Sequence, residues 1–356
     1  MTRLQKLQHT LRAEQGALVS SAQNRFYLSG FEFSDGYLLI FKDEAFLLTD
    51  FRYREAALAE AKEGFAVLTP ECPMFSAVKE LLLERGATAL LLEETDVSLA
   101  DKAKLQKALP DVALNTGLSE VLGTLRIAKD EEELAAMRRA QAITDKAFAH
   151  ILRVLTPRMT EVEVALELEF FMRREGASGV AFDTIAVSGT ASSRPHGTPR
   201  NHPLEKGFLT MDFGARVAGY CSDMTRTVVI GKADDDMKKL YRTVYTAKEL
   251  ALAQIKEGAS CRALDLVARE YIEKEGYVGA FGHSLGHGVG IDIHEAPRLS
   301  RLAPLDSVLS RGHVVTVEPG IYLEGKYGCR IEDMVAILPD GRVENMTKSP
   351  QELIEI

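Results

Sequence analysis

The first third of the chain alternates between helical and strand-like spacing of its apolar residues. Apolar positions repeat at helical spacing in Leu4–Glu14, Tyr53–Glu63 and Ala77–Arg85. Short aromatic and aliphatic runs between these helices predict strands at Leu18–Ser20, Tyr37–Phe41, Ala45–Thr49 and Ala89–Leu92. The alternation predicts a small α/β domain over residues 1–122.

The remaining residues, 123–356, group their helical and strand-like segments into blocks. Capping boxes at Asp130/Glu133 and Thr160/Glu163 predict helices that extend to about Leu155 and Gly176. The first of these helices should bury one stripe, formed by Leu134, Met137, Ile143, Ala147 and Ile151. Two more helices are expected at about Asp236–Glu257 and Arg262–Glu275, with strand-rich segments between and after them. Such blocks predict an α+β domain rather than a parallel α/β fold.

Charge and composition narrow the classes of function. The net charge of -9 argues against a nucleic acid partner and against an anionic membrane surface. No apolar run approaches the roughly 18 residues of a membrane span, and Met1–Ala17 lacks a signal-peptide core. The four cysteines have no zinc-like spacing, so we expect free thiols and a cytoplasmic protein.

Two aspartates lie in a predicted β-hairpin, Phe208–Ile230, whose turn falls around Ala215–Gly219. If the turn centres between Val217 and Ala218, Asp212 lies directly opposite Asp223 on the same face. Two such carboxylates repel unless a cation lies between them, and hard divalent cations prefer carboxylate oxygens. The alternative is a pair of solvent-facing carboxylates without a ligand.

Three histidines occur within twelve residues, at His283, His287 and His294, among four glycines. The glycines allow the backbone to approach a ligand closely. The segment lacks the spacing and the βαβ context of a nucleotide-binding loop. This clustering favours a site over three unrelated structural histidines.

Two glutamates belong to the last strand-rich segment, His313–Met334. Glu318 follows the apolar run Val314–Val317, and an acidic residue at the end of a buried strand needs a partner. The following strand should place Arg330 and Glu332 on one face. Surface charge, or a salt bridge to Arg330, is the alternative interpretation of both glutamates.

The assembled set of four carboxylates and one neutral histidine balances the charge of two divalent cations. Such a pair of cations favours ionisation of a water held between them near neutral pH.

These residues resemble the motifs of a known family. MDFGARVAGYCSDMTRT, HSLGHGVG with the later HE, VTVEPGIY and RIEDM are similar to the metal-binding motifs of the pita-bread metallopeptidases, in the branch of aminopeptidase P and prolidase. The segments Tyr27–Phe31 and Thr49–Tyr53 resemble the creatinase-type N-terminal domain of that branch. Two departures fall at Glu32–Asp35 and at Arg194, where the family commonly has other residues.

The resemblance implies a role for each motif residue. Asp212 would bind one metal, Asp223 and Glu332 would bridge both, and His287 and Glu318 would bind the other. Glu318 would also transfer protons, and His294 would stabilise the developing oxyanion. His196 and His283 match further active-site histidines, and Arg330 would orient a ligand carboxylate.

The resemblance implies hydrolysis of the bond between an N-terminal residue and proline, with two divalent metal ions, manganese favoured and cobalt or zinc possible. It also implies a homodimer that acts on proline-containing peptides. Alternatives are a methionine aminopeptidase-like exopeptidase or a non-catalytic peptide-binding relative. Prolidases take dipeptides and aminopeptidase P takes longer chains. Arg298 and Arg301 are candidate clamps for a dipeptide carboxylate, or solvated loop charges.

Overall fold

The computed structural model describes all 356 residues and divides into two compact units, Met1–Arg126 and Ile127–Ile356. The domain boundary expected at 122/123 falls inside a helix, Leu118–Ile127. The division between the two compact units lies four residues later, at the C-terminal end of the same helix.

The first unit is one six-stranded mixed sheet with helices. The helices are α1 Arg3–Gln8, α2 Ala22–Ser29, α3 Phe51–Glu60, α4 Met74–Glu84, α5 Leu99–Ala108 and α6 Leu118–Ile127. The strands are β1 Gln15–Val19, β2 Gly36–Ile40, β3 Ala45–Thr49, β4 Ala66–Leu68, β5 Ala89–Leu92 and β6 Ala113–Asn115. Their order in the sheet is β4-β3-β2-β1-β5-β6. The predicted α/β character of this unit is confirmed.

Several elements of the first unit differ in their bounds from the predictions or were not predicted, and two helices show why. Helix α1 ends at Gln8 rather than Glu14, where the Thr10 hydroxyl donates to the carbonyl of Leu7 and competes with the helix. Helix α2 was not predicted, because polar contacts rather than an apolar stripe hold it. The buried carboxylate of Glu93 accepts from the Ser21 hydroxyl at 2.8 Å and from the Asn24 amide.

Four long helices frame the second unit: α7 Glu131–Val154, α8 Glu161–Arg174, α9 Asp235–Leu252 and α10 Cys261–Lys274. Both predicted capping boxes are present at the starts of α7 and α8. All five residues of the predicted stripe on α7 are buried. None of the helices is both long and apolar enough to cross a membrane.

The strands of the second unit form several small sheets. They are β7 Gly179–Val180, β8 Ile185–Ser188, β9 Gly207–Phe213, β10 Ala215–Val217, β11 Tyr220–Cys221, β12 Met224–Ile230, β13 Gly286–Gly288, β14 Glu295–Leu299, β15 Val314–Val317, β16 Gly320–Leu323, β17 Tyr327–Arg330, β18 Asp333–Ile337 and β19 Val343–Asn345. The two sheets that matter for the site have the orders β12-β9-β8 and β14-β13-β15-β18-β19. The predicted α+β class is confirmed.

Strand β9 shows how the core directs one face of a strand toward the site. Leu209, Met211 and Phe213 pack into the core formed with α7 and α8. The alternate residues point the other way, and Phe208 belongs to the core formed with α9 and α10. Asp212 shares the face of Phe208 by the two-residue period, so it lies between the two helical layers.

The register predicted for the hairpin of β9 and β12 is wrong by two residues. The turn is Ala218–Gly219, with φ values of 47° and 79°, so Asp212 pairs with Thr225 and not with Asp223. This two-residue turn with positive φ matches the twist of the strands. Asp223 precedes Thr225 by two residues and therefore still shares the face of Asp212, on a diagonal rather than directly opposite.

Candidate metal centre

His287 lies at the centre of the cluster, on the short strand β13. Its flanking glycines are required because a Cβ at Gly286 would lie 2.0 Å from the Thr316 carbonyl oxygen, and one at Gly288 2.2 Å from that of Ala296. The ring's Nδ1 lies 3.0 Å from the carbonyl oxygen of Gly288, which selects the tautomer with Nε2 free. Nε2 then faces the Asp223 carboxylate at 3.5 Å and that of Glu318 at 3.3 Å.

Glu332 and Asp212 are held by hydrogen bonds from their neighbours. The Thr225 hydroxyl donates to Glu332 at 2.7 Å, and the Arg330 Nη2 donates to Asp212 at 2.7 Å. Arg330 also donates from Nε to the Thr225 hydroxyl at 3.0 Å. Arg330 thus pairs with Asp212 and not with either glutamate, which disfavours the salt-bridge interpretation of Glu318 and Glu332.

Burial raises the pKa of Asp212, Asp223 and Glu332, because the ionised forms lose water and repel one another. Burial also opposes ionisation of Glu318, but the hydrogen bond and positive charge of His287 lower its pKa to about 2. Burial likewise disfavours the charged His287, whereas its hydrogen bond to Glu318 raises the pKa above the usual value. The raised pKa of His287 reflects the negative charge that surrounds it, and a bound cation would offset the same charge.

The arrangement fits a divalent cation. Ligand atoms of Asp223, His287 and Glu332 all lie within 4.8 Å of one another. The Oδ1 atom of Asp212 is buried and has no hydrogen-bond partner, which leaves it available to a cation. Carboxylate oxygens with one imidazole suit hard or borderline divalent metals. The alternative of solvent-facing hairpin carboxylates is wrong, since Asp223 is only 4% exposed.

The other predicted site residues line the same cavity of about 750 Å³. His294 is exposed, and its ring lies 4.4 Å from that of His287, centroid to centroid. His283 contacts the hydroxyl of Tyr322 through Nε2 at 2.9 Å. His196 lies on an exposed loop at the cavity wall. All nine predicted site residues are therefore brought to one cavity; Arg298 lines it and Arg301 does not.

Two residues of this region were missed by the sequence analysis. The hydroxyl of Tyr322 accepts from Arg330 Nη1 at 2.8 Å and contacts His283, so it links the histidine to Asp212 through the arginine. Thr225 joins Arg330 to Glu332. The two-residue strand period, counted from Asp223, would have found Thr225. No local signal marks Tyr322.

A buried cluster of carboxylates around a histidine, set in an open cavity, defines the centre of a metallohydrolase. The chain belongs to metallopeptidase family M24, whose family model matches residues 135–339. Residues 3–128 match the creatinase/prolidase N-terminal domain.

Similar proteins cover almost the whole chain. The uncharacterised peptidase YqhT of Bacillus subtilis is 39% identical, over 95% of both chains. A solved Xaa-Pro dipeptidase from Bacillus anthracis is 38% identical with a TM-score of 0.94 and covers 99% of both chains. A solved X-Pro aminopeptidase from Thermotoga maritima is 37% identical with a TM-score of 0.91, over 98% of this chain and 99% of that one.

Proposed function

We propose that this protein hydrolyses the peptide bond between an N-terminal residue and proline, with divalent metal ions bound by five of its residues. The buried cluster of four carboxylates around His287 carries the proposal, since it has the ligand chemistry of a two-cation centre. Similarity over the whole chain to solved peptidases named for Xaa-Pro substrates supports the bond class.

The five ligands are Asp212, Asp223, His287, Glu318 and Glu332. By the family resemblance, Asp223 and Glu332 would bridge two ions, and their carboxylates lie within 4.8 Å of each other and of the His287 ring nitrogen. Manganese is favoured because the set is dominated by carboxylate oxygens. When bound, the ions supply Lewis-acid activation of a water and of the scissile carbonyl.

The remaining chemistry belongs to side chains of this cavity. Glu318 accepts the proton of the attacking water and passes it to the departing proline nitrogen. His294, exposed beside His287, donates to the oxygen on which negative charge develops. Arg330 holds Asp212 in position, and Tyr322 couples that arginine to His283. The bond before proline has no N–H to donate, so the site selects it by shape. His196 contributes to the substrate side of the wall.

The length of the substrate depends on Arg298. It is the Cα partner of His287 across β13 and β14, so both side chains lie on the same face of that sheet. Its Nε lies 3.3 Å from the hydroxyl of Ser284, at the cavity wall. An arginine there matches the C-terminal carboxylate of a dipeptide. We therefore favour a dipeptidase.

A panel of substrates tests the proposal. The wild-type protein should hydrolyse Xaa-Pro dipeptides faster than the same peptides extended or amidated after proline. Arg298→Met should raise KM for dipeptides and reduce this preference, whereas Arg301→Met should change neither. Turnover of Met-Ala peptides without turnover of Xaa-Pro peptides would contradict the proposed bond class and favour the methionine aminopeptidase-like alternative.

A homodimer in the cytoplasm completes the proposal. It rests on the family resemblance alone, and light scattering at working concentration tests it: a mass near that of one 39.2 kDa chain would contradict it.

A further inference from the structure

Two exposed charged residues of the cavity wall belong neither to the metal cluster nor to the residues that hydrogen-bond to it. They are Asp183 and Arg298. The other acidic residues of the wall are the four proposed ligands and Glu295, whose carboxylate pairs with Lys129 at 3.0 Å. Arg298 is the proposed partner of the substrate carboxylate, so Asp183 is the one charge of this wall without a proposed role.

These two charges belong to different sheets of the cavity wall. Ile185 on β8 pairs with Asp212 on β9, so both side chains share a face. Asp183 lies just before β8, two residues from Ile185, and is exposed at the cavity wall. Arg298 on β14 pairs with His287 on the other sheet. Asp183 is therefore next to the sheet of Asp212, and Arg298 is on the sheet of His287.

If a dipeptide binds with its carboxylate at Arg298, on the sheet of His287, the sheet of Asp212 remains as the wall for its first residue, and Asp183 lies beside that sheet. The α-ammonium of the dipeptide is two bonds from the scissile carbonyl carbon, about 2.5 Å away, and stays beside the cluster. Asp183 is two residues before Ile185, so its Cα lies at most about 7 Å from that of Ile185, the partner of Asp212. The end of a long side chain on the first residue can span that distance, whereas the α-ammonium stays beside the cluster.

We propose that Asp183 is a specificity-determining residue that favours a cationic side chain, lysine or arginine, on the first residue of the substrate. The inference rests on the proposed function. Asp183 has no hydrogen bond or ion pair within the chain, so its charge is available to a substrate. Because water screens an exposed carboxylate, the expected preference is about three- to fivefold in kcat/KM.

The test compares Lys-Pro with norleucyl-Pro, which has the same chain length without the ammonium group, and with Glu-Pro. In the wild-type protein, kcat/KM should follow the order Lys-Pro, norleucyl-Pro, Glu-Pro. Asp183→Asn should bring the ratio of Lys-Pro to norleucyl-Pro close to one and leave norleucyl-Pro turnover unchanged. Asp111→Asn removes an exposed aspartate of the first unit, outside the cavity, and should preserve the ratio. Added salt should reduce the wild-type ratio.

Each other outcome has a definite meaning. An unchanged Lys-Pro to norleucyl-Pro ratio in Asp183→Asn overturns the inference. An equal loss for all three substrates also overturns it, because Asp183 would then bind the shared α-ammonium or support the wall. Absence of Xaa-Pro hydrolysis in the wild-type protein rejects the proposed function instead, since the selectivity comparison requires measurable turnover.

Discussion

At the scale of single residues, the centre places negatively charged carboxylates and a titratable histidine close together in a confined space. Glu318 faces His287 at 3.3 Å and accepts from the Thr316 hydroxyl at 3.1 Å. Its low pKa keeps it ionised, which suits a metal ligand. A carboxylate with so low a pKa is a weak base, since proton transfer is most efficient when the pKa lies near the operating pH. The proposed ligand and proton-transfer roles of Glu318 can be separated by substitution.

Glu318→Gln keeps the length of the side chain and one oxygen but removes the charge and the proton acceptor. We expect turnover at saturating metal to fall by about a hundredfold to ten-thousandfold, with the fold retained.

His294→Ala should keep its metal and lose about a hundredfold in turnover, because it removes a donor to the oxyanion. Metal content and turnover of both variants are measured together. Near-normal turnover of Glu318→Gln would assign the base elsewhere, and metal loss in His294→Ala would make that histidine a ligand.

His313 lies five residues before Glu318. Its titration is expected to make the free energy of unfolding depend on pH. Burial, together with the charge of Lys129, lowers its pKa to about 4, and its Nδ1 accepts from the amide of Ser310. A histidine whose folded pKa is depressed stabilises the fold above its unfolded pKa of about 6.5, and this stability is lost as the pH falls toward 4. The difference corresponds to roughly 2–3 kcal/mol.

His313→Gln keeps an acceptor for the Ser310 amide and does not titrate. Between pH 7 and pH 4, the free energy of unfolding of the wild-type protein should fall by roughly 2–3 kcal/mol more than that of the variant. Urea denaturation of metal-free protein at pH 7, 5.5 and 4 measures this. Parallel pH profiles for the two proteins would mean that His313 is not the titrating group.

At the scale of elements, short strands with tight turns bring the proposed ligands together. Strand β9 buries one face against α7 and α8 and turns Asp212 away from them. Strand β13 is three residues long, and its two glycines allow strands to approach on both sides of His287. The turn at Ala218–Gly219 sets the pairing of β9 with β12, and so determines which residue faces Asp212.

Ala218 is the only non-glycine residue with positive φ, which is costly for an alanine. Ala218→Asn should stabilise the protein by about 0.5–1 kcal/mol, because asparagine followed by glycine is the preferred pair in such a turn. Gly219→Ala at the adjacent position should destabilise it by about 1 kcal/mol. The midpoint of chemical denaturation reports both changes. Destabilisation by Ala218→Asn would show that the alanine side chain contributes contacts that outweigh its backbone strain.

At the scale of the whole molecule, the second unit assembles its ligands from four separate strand regions between two helical cores. This arrangement concentrates negative charge in a buried volume, and the raised pKa values of three carboxylates reflect its cost. A divalent cation would offset that cost, so metal binding and folding should be linked.

Removal of metal should abolish activity and lower thermal stability, and manganese or cobalt should restore both. A metal present at a hundred times its dissociation constant stabilises the fold by about 2.7 kcal/mol. Calorimetry of metal-stripped protein with and without manganese gives the shift, and Asp223→Asn should reduce it because one bridging charge is lost. Full turnover by metal-stripped protein in excess chelator would refute the proposed centre.

The sequence by itself determined the features that depend on neighbours along the chain. The capping boxes at Asp130 and Thr160 and the buried stripe of α7 are local, because the residues that make them lie within a few helical turns. The candidate ligands could also be identified from short sequence segments. A histidine among glycines and an acidic residue after a run of valines are unusual in any fold. Helix α2 was missed because its partner, Glu93, lies about seventy residues away.

Only the tertiary structure decided how the candidates are arranged. Asp212 pairs with Thr225 because the turn centre lies one residue beyond the expected position. In a hairpin, the position of the turn fixes which residues of the two strands pair, so this difference changes every cross-strand pair. The link from His283 through Tyr322 and Arg330 to Asp212 joins three regions that are distant in sequence: the segment before β13, the hairpin of β16 and β17, and β9. Burial set the direction of the pKa shifts of Asp212, Asp223 and Glu332, and the contact between His287 and Glu318 set those of that pair. Both causes depend on what packs around a side chain and not on its neighbours in the chain.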